Sequence, residues 1–198
     1  MNLALFDFDG TITTREMFPD FMHYAITPGR LAIGKVILSP LIIGYKLGVV
    51  SGTLVRASIV RFGFTGVSVE QFEAAGRNFA NTILPNALRQ EALDRIAWHK
   101  AQGDKVVVVS GAFDIYLSHW CDLHQLELIC SSLSYKDKNL TGHYHGDQCV
   151  GAEKVRRVRE RYDLTNYPVI YAYGDTKEDL DLLSIAHKKY YQWLEVPA

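Results

Sequence analysis

Cysteine is scarce in this 198-residue chain. Cys121, Cys130 and Cys149 are an odd number with no tight spacing. They form no metal motif and no disulfide framework, so a reducing, cytoplasmic setting is expected. Charge of one sign is also lacking. The formal net charge is -1, so no global basic field points to nucleic acid. No basic segment leads into an apolar run at the start, so no secretory signal is expected. Repeats, low-complexity tracts and long linkers are absent from the pattern. Long hydrophobic runs are missing as well. The most apolar stretch runs from Leu31 to Val50, but lysines confine its longest uncharged run to Val36–Tyr45. A membrane span needs about 20 apolar residues, and Pro40 kinks any helix there. The stretch predicts a pair of helices hiding an apolar face in a small subdomain. A helix lying on a membrane surface is the less favoured reading.

What is present suffices for a core: 48% of residues are hydrophobic and 12% aromatic. The length suits one domain, or one domain carrying an insert. The N-terminal motif is Leu3-Ala4-Leu5-Phe6-Asp7-Phe8-Asp9-Gly10-Thr11. An apolar run of this kind reads as a buried strand. It ends in two carboxylates two residues apart, which are costly to bury uncompensated. Gly10 permits a sharp turn. A divalent cation offsets such charge, and Mg²⁺ prefers a few carboxylates with substrate phosphate.

From about Thr14 to Leu84 no strand-helix alternation is seen. The stretch predicts helices broken at Pro28-Gly29, Ser39-Pro40, Ser51-Gly52 and Gly63 to Gly66. Ser68, Glu70 and Gln71 mark the start of the last one. After Pro85 the pattern changes. A helix is predicted over 86–102, a doubly covered strand over 105–109, and a helix from Phe113 to about Leu123. A short strand over 126–130, a hairpin around Asp137-Lys138-Asn139 and a basic helix over 152–162 follow. A buried strand over 169–173 leads into Gly174-Asp175, then a helix over 178–186. An edge strand over 189–193 ends the pattern. The chain is therefore read as α/β, with a mostly parallel sheet between helices. Residues 1–13 and 85–198 form the core, and 14–84 a helical subdomain inserted after the first strand. In such sheets chemistry collects beyond the carboxyl ends of the strands. Asp7 and Asp9, Ser110-Gly111, and Gly174-Asp175 fall on that one rim.

These groups fit phosphoryl chemistry. Mg²⁺ held by Asp7, Asp175 and the backbone carbonyl of Asp9 would offset repulsion between an anionic nucleophile and a phosphate. Ser110 and Gly111, at a predicted helix N-terminus, make an anion cradle. Lys154 completes it and stabilises transition-state charge. One carboxylate attacks phosphorus and the other serves as acid and base. His143 and His145 share a predicted strand face, but no third ligand accompanies them, so a hairpin surface is preferred.

The chain resembles the haloacid dehalogenase superfamily, in its phosphoserine-phosphatase-like branch. Four motifs carry the resemblance in order: Asp7-Phe8-Asp9-Gly10-Thr11, Val109-Ser110-Gly111, Lys154, and Gly174-Asp175 with Asp179. It implies a three-layer Rossmann-like fold whose helical insert is a cap over the site. It further implies Asp7 as nucleophile, Asp9 as general acid and base, and Ser110, Gly111 and Lys154 as phosphate ligands. Asp175 would complete the Mg²⁺ site with Asp179 supporting it. Members that dehalogenate lack the second acid, so Asp9 favours phosphomonoester hydrolysis. Glu16 matches a glutamate that contacts the substrate amine, and Arg56 matches a carboxylate-binding arginine. Glu178 stands where the family carries an asparagine. A small soluble phosphomonoester is the preferred substrate, phosphoserine first among them. A phosphatidylglycerophosphate-like lipid headgroup is the alternative, suggested by the apolar stretch 31–50. A receiver-type signalling domain also gathers acids, a hydroxyl and a lysine around Mg²⁺. Its paired acids adjoin, however, whereas Phe8 separates them here.

Overall fold

The computed structural model describes residues 1–197. A six-stranded sheet runs in the order β3-β2-β1-β6-β7-β8. Its centre is β1 (Leu3–Phe6), flanked in parallel by β2 (Lys105–Phe113) and β6 (Ile170–Gly174). Every residue of β1 is buried, as expected of an uninterrupted apolar run covered by helices on both faces. The two faces support separate apolar clusters. Ala4 and Phe6 point into one, and Leu3 and Leu5 into the other, which is the period-two alternation of a strand. β3 (Glu127–Ser131) and β7 (Lys188–Tyr191) extend the sheet in parallel. β8 (Leu194–Val196) turns back antiparallel and forms one edge. The sequence reading ended in one edge strand and missed this return. Its turn uses Gln192 and Trp193 at φ 51° and 66°, an unusual pair for a two-residue hairpin, where glycine or asparagine is favoured.

Between β1 and the next core helix lie five helices: α1 (Met17–Ala25), α2 (Pro28–Ile37), α3 (Ser39–Lys46), α4 (Gly52–Phe64) and α5 (Val69–Thr82). The breaks fall at the Pro and Gly signals. Pro28 and Pro40 sit in first turns, where the missing N–H costs nothing. The Ser51 side chain caps α4 by accepting from the Leu54 N–H. α1, α4 and α5 pack through Phe21, Phe64, Phe72 and Phe79 against Phe113 and Tyr116 of the core. The insert thus shares the main apolar cluster instead of owning one. α2 buries only Gly34, and α3 buries nothing.

The remaining helices are α6 (Gln90–Ala101), α7 (Asp114–His124), α8 (Ala152–Arg161) and α9 (Leu180–Ser184). α6 begins later than its sequence pattern suggests. A 3₁₀ turn covers Leu84–Asn86, and the Thr13–Leu88 bridge then holds the chain extended. α9 is likewise shorter, preceded by a 3₁₀ turn over Lys177–Asp179. The hairpin β4 (Leu133–Lys136) and β5 (Asn139–Tyr144) lies apart from the main sheet and packs on α4.

Candidate active site

The site forms where β1, β2 and β6 end together. Asp7 leaves β1 with its N–H still bonded to the Tyr173 carbonyl at 2.9 Å, so its position is tied to the sheet. Its side chain is buried. Lys154, in the first turn of α8, is 2% exposed and donates to Asp7 Oδ1 at 2.5 Å and to Asp179 Oδ1 at 2.7 Å. Arg156 and Arg159 of this basic helix face solvent, whereas Lys154 is turned inward. Asp179 spends its other oxygen on the N–H groups of Asp175 and Thr176 and on the Thr176 hydroxyl, at 3.0–3.2 Å. It fastens the loop after β6 and the lysine at once.

Asp9 points differently. Its Oδ1 accepts the Met17 N–H at 2.9 Å, at the start of α1. Burial first, then the Glu16 charge, push its carboxyl up to about 7, against the opposing pull of that N–H. Burial also raises Asp7 well above the carboxylate range. Lys154 pulls it back, while Asp179 and Asp9 add to the rise. For Lys154, burial opposes the charge, but Asp7 and Asp179 outweigh it and hold the ammonium protonated.

Asp7, Asp175 and Asp179 each bring a carboxylate oxygen within 4.8 Å of the others. Lys154 contacts two of these three carboxylates, and among the described residues the Asp175 carboxylate receives only the Thr11 hydroxyl, at 3.1 Å. Burial raises its pKa. An all-oxygen donor set with surplus negative charge fits a hard divalent cation. Asp179 is already saturated by its own hydrogen bonds, which leaves Asp7 and Asp175 as the side chains available to such an ion. Gly10 is required beside them. Its φ is +77°, and a Cβ there would lie 2.2 Å from Asp175 Oδ2.

Asp7, Asp9, Glu16, Arg56, Ser110, Gly111 and Lys154 all line one cavity of about 40 Å³. Asp175 stands outside that lining, in the acid cluster. Ser110 and Gly111 are at the site but not at a helix start, which corrects the sequence reading. β2 continues through them to Phe113, with a bulge against β3 between Ser110 and Phe113. α7 opens only at Asp114. The Ser110 hydroxyl instead accepts the Ala112 N–H at 3.0 Å, inside the bulge. Extra twist at a bulge re-aims side chains without a helix.

Arg56 reaches the cavity from α4, but it is occupied. It donates to Glu178 Oε1 at 2.7 Å and to Gln148 Oε1 at 3.1 Å. Glu178, the departure from the family's asparagine, thus has a partner in the insert. Glu16 stands at the exposed mouth, where partial desolvation and then the Asp175 charge raise its pKa. Sequence reasoning missed Phe18, which lines the cavity beside Glu16. It also missed the Arg56–Glu178 pair. The two residues lie 122 positions apart, and no local signal joins them.

A family model described as haloacid dehalogenase-like hydrolase matches residues 4–184. The chain belongs to this family. Protein CicA of Caulobacter vibrioides (strain NA1000 / CB15N) is 33% identical over 196 residues, covering 96% of this chain and 85% of that protein. A Bordetella pertussis Tohama I protein of unknown function superposes with TM-score 0.79 at 20% identity, covering 96% and 89%. A substrate-bound phosphoserine phosphatase superposes with TM-score 0.70 at 21% identity, covering 96% and 85%. The fold is that of the phosphoserine-phosphatase-like branch of these hydrolases. Among the described residues, no helix is long and apolar enough to cross a membrane.

Proposed function

We propose that this hydrolase cleaves phosphomonoesters with Mg²⁺ through an aspartyl-phosphate on Asp7. One observation carries the reading: buried Lys154 clamps Asp7 while Asp9 faces the same cavity from the Met17 N–H. An Asp7 oxygen attacks phosphorus, and the P–O bond to the leaving alcohol breaks. Asp9 gives its proton to the departing oxygen. Water then attacks the phosphorus of the acyl phosphate, and Asp9 takes its proton back. The bond to Asp7 breaks and inorganic phosphate leaves. Ser110, Gly111 and Lys154 hold the phosphoryl oxygens and stabilise their charge. Asp7, Asp175 and the backbone carbonyl of Asp9 would hold Mg²⁺, which when bound offsets the repulsion between carboxylate and phosphate. Residues 14–84 act as the cap.

A small soluble ester such as phosphoserine would place its ammonium on Glu16 and its carboxylate on Arg56. Arg56 must first leave Glu178 and Gln148 to do so. That commitment, and the apolar Phe18 wall, favour the alternative of a lipid-borne phosphate. Losses on Glu16→Gln and Arg56→Ala that are larger for phosphoserine than for an aryl phosphate support amino-acid recognition. Equal losses refute it.

The test of the reaction is release of phosphate from an aryl phosphate with Mg²⁺ and with chelator. Asp7→Asn is expected to abolish turnover while the circular dichroism spectrum stays native. Acid quenching of the working enzyme should trap a phosphoryl group on the peptide bearing Asp7. Full activity in chelator refutes the metal role, and an active Asp7→Asn variant refutes the nucleophile.

A further inference from the structure

A second cavity, of about 190 Å³, lies between α1, α2, α3 and α4. Its exposed lining is entirely apolar, built from Met22, Leu31, Leu38, Ile42 and Phe62 among others. Phe18 belongs to both cavities. The apolar groove and the phosphate cavity therefore adjoin at one aromatic ring. A polar head pocket beside an apolar slot is the arrangement an amphiphile requires.

The outer surface of the same helices is also unusual. Val36, Leu47 and Val49 are 74%, 72% and 78% exposed, with Ile33, Ile37 and Ile43 beside them. Apolar exposure concentrated on one pair of helices and the turn after them marks an interaction surface. Charge says which kind. Residues 21–69 contain five Lys or Arg and no Asp or Glu, in a chain whose formal net charge is -1. Lys35 of α2 and Lys46 of α3 are exposed. An apolar pair of helices that carries lysines and no acids is complementary to an anionic lipid surface.

We propose that the α2–α3 face docks on an anionic bilayer and that the substrate is a lipid carrying a terminal phosphate monoester. Its phosphate enters the Asp7 cavity and its acyl chain lies past Phe18 in the groove. The proposal rests on the phosphomonoesterase reading above and narrows its leaving group.

The test uses the full chain with Mg²⁺ in two arms. In the first, ethyl, butyl, hexyl and octyl phosphate are compared as monomers in solution. Each buried methylene is worth about fourfold in binding, so kcat/KM rises by about that factor per methylene until the groove is filled. In the second, flotation and phosphate release are measured on phosphatidylcholine vesicles containing phosphatidic acid, with and without phosphatidylglycerol. The chain floats with the phosphatidylglycerol vesicles, releases phosphate from them faster, and detaches in 1 M salt. Val36→Glu combined with Leu47→Glu loses flotation. Its rate on vesicles drops at least tenfold relative to its own rate on ethyl phosphate. Hydrolysis with a flat chain-length series and no flotation overturns the proposal alone. So does a concentration-dependent dimer in sedimentation that the double variant abolishes without any vesicle binding, since a second copy then covers the face. No hydrolysis of any ester, ethyl phosphate included, overturns the phosphomonoesterase reading as well.

Discussion

Replacing Lys154 by methionine tests the electrostatic logic of the site. The ammonium is almost fully enclosed and contacts Asp7 and Asp179 directly. Methionine keeps most of the side-chain bulk and removes only the charge. The variant leaves Asp7, Asp175 and Asp179 clustered with no cation in contact. Breaking a buried pair by deleting one partner costs about 3–5 kcal/mol, because the other charge stays buried. Unfolding entropy near 2.1 cal/mol/K per residue makes each kcal/mol worth about 2.4 °C in a chain of 198 residues. The expected fall in Tm is therefore roughly 7–12 °C in the presence of chelator. Added Mg²⁺ should recover more of the variant's Tm than it adds to the parent, since the ion then replaces the missing charge. Turnover should fall by about 10²–10³, the usual cost of removing one preorganised donor to a developing anion. Scanning calorimetry with chelator and with Mg²⁺ measures the two Tm effects, and phosphate release measures the third. A variant within about 2 °C of the parent in chelator would refute the buried-pair argument. Equal Mg²⁺ shifts in the two proteins would refute the shared acid site.

Two further perturbations probe geometry away from the lysine. Gly10→Ala combines a left-handed backbone with a clash on Asp175. It should weaken Mg²⁺ activation while leaving the sheet folded, and an unchanged metal titration contradicts the placement of Asp175. The buried His99 hydrogen-bonds Asp104 and the Tyr173 hydroxyl, both at 2.9 Å. Burial holds its pKa below the ordinary 6.5, with Arg95 adding to that and Asp104 opposing it. Burial alone would raise Asp104, but His99 and the Asn2 N–H lower it. For both groups the unfolded chain binds protons more readily. Their contributions are full above the unfolded pKa and are lost on acidification. The Tm advantage of the parent over His99→Phe should therefore shrink as the pH drops from 7 to 5, while the raised Asp9 carboxyl takes up its proton in the same range and acts in the opposite sense in both proteins. Parallel slopes in thermal melts refute the assignment.

The strands that build the site were legible because burial on both faces writes uninterrupted apolar runs, as in Leu3–Phe6. Polar residues at the ends of those runs marked Asp7, Asp9, Ser110 and Asp175 as neighbours on one rim. Insert breaks were legible because Pro28, Pro40 and Ser51 act locally. What stayed hidden depends on partners distant in the chain. The bulge that keeps Ser110 in β2 arises from pairing with β3. The late start of α6 comes from Leu88 pairing with Thr13. Arg56 looked free for substrate because Glu178 and Gln148 approach it only in the folded chain. Phe18 carries no chemical signal, and its importance is purely its place between two cavities.

The aromatic cluster that joins α1, α4 and α5 to the core also sets what can move. Phe21, Phe64, Phe72 and Phe79 interlock with Phe113 and Tyr116, and all six are buried. Swinging the whole insert away as a rigid lid would expose these rings to water at a cost of about 1.5–3 kcal/mol each. α2 and α3 face no such barrier, having almost nothing in the core. Local opening is cheapest where buried apolar contacts are fewest. Substrate admission is therefore expected to flex one helical hairpin over a fixed floor, with Asp7 and Asp9 keeping their places.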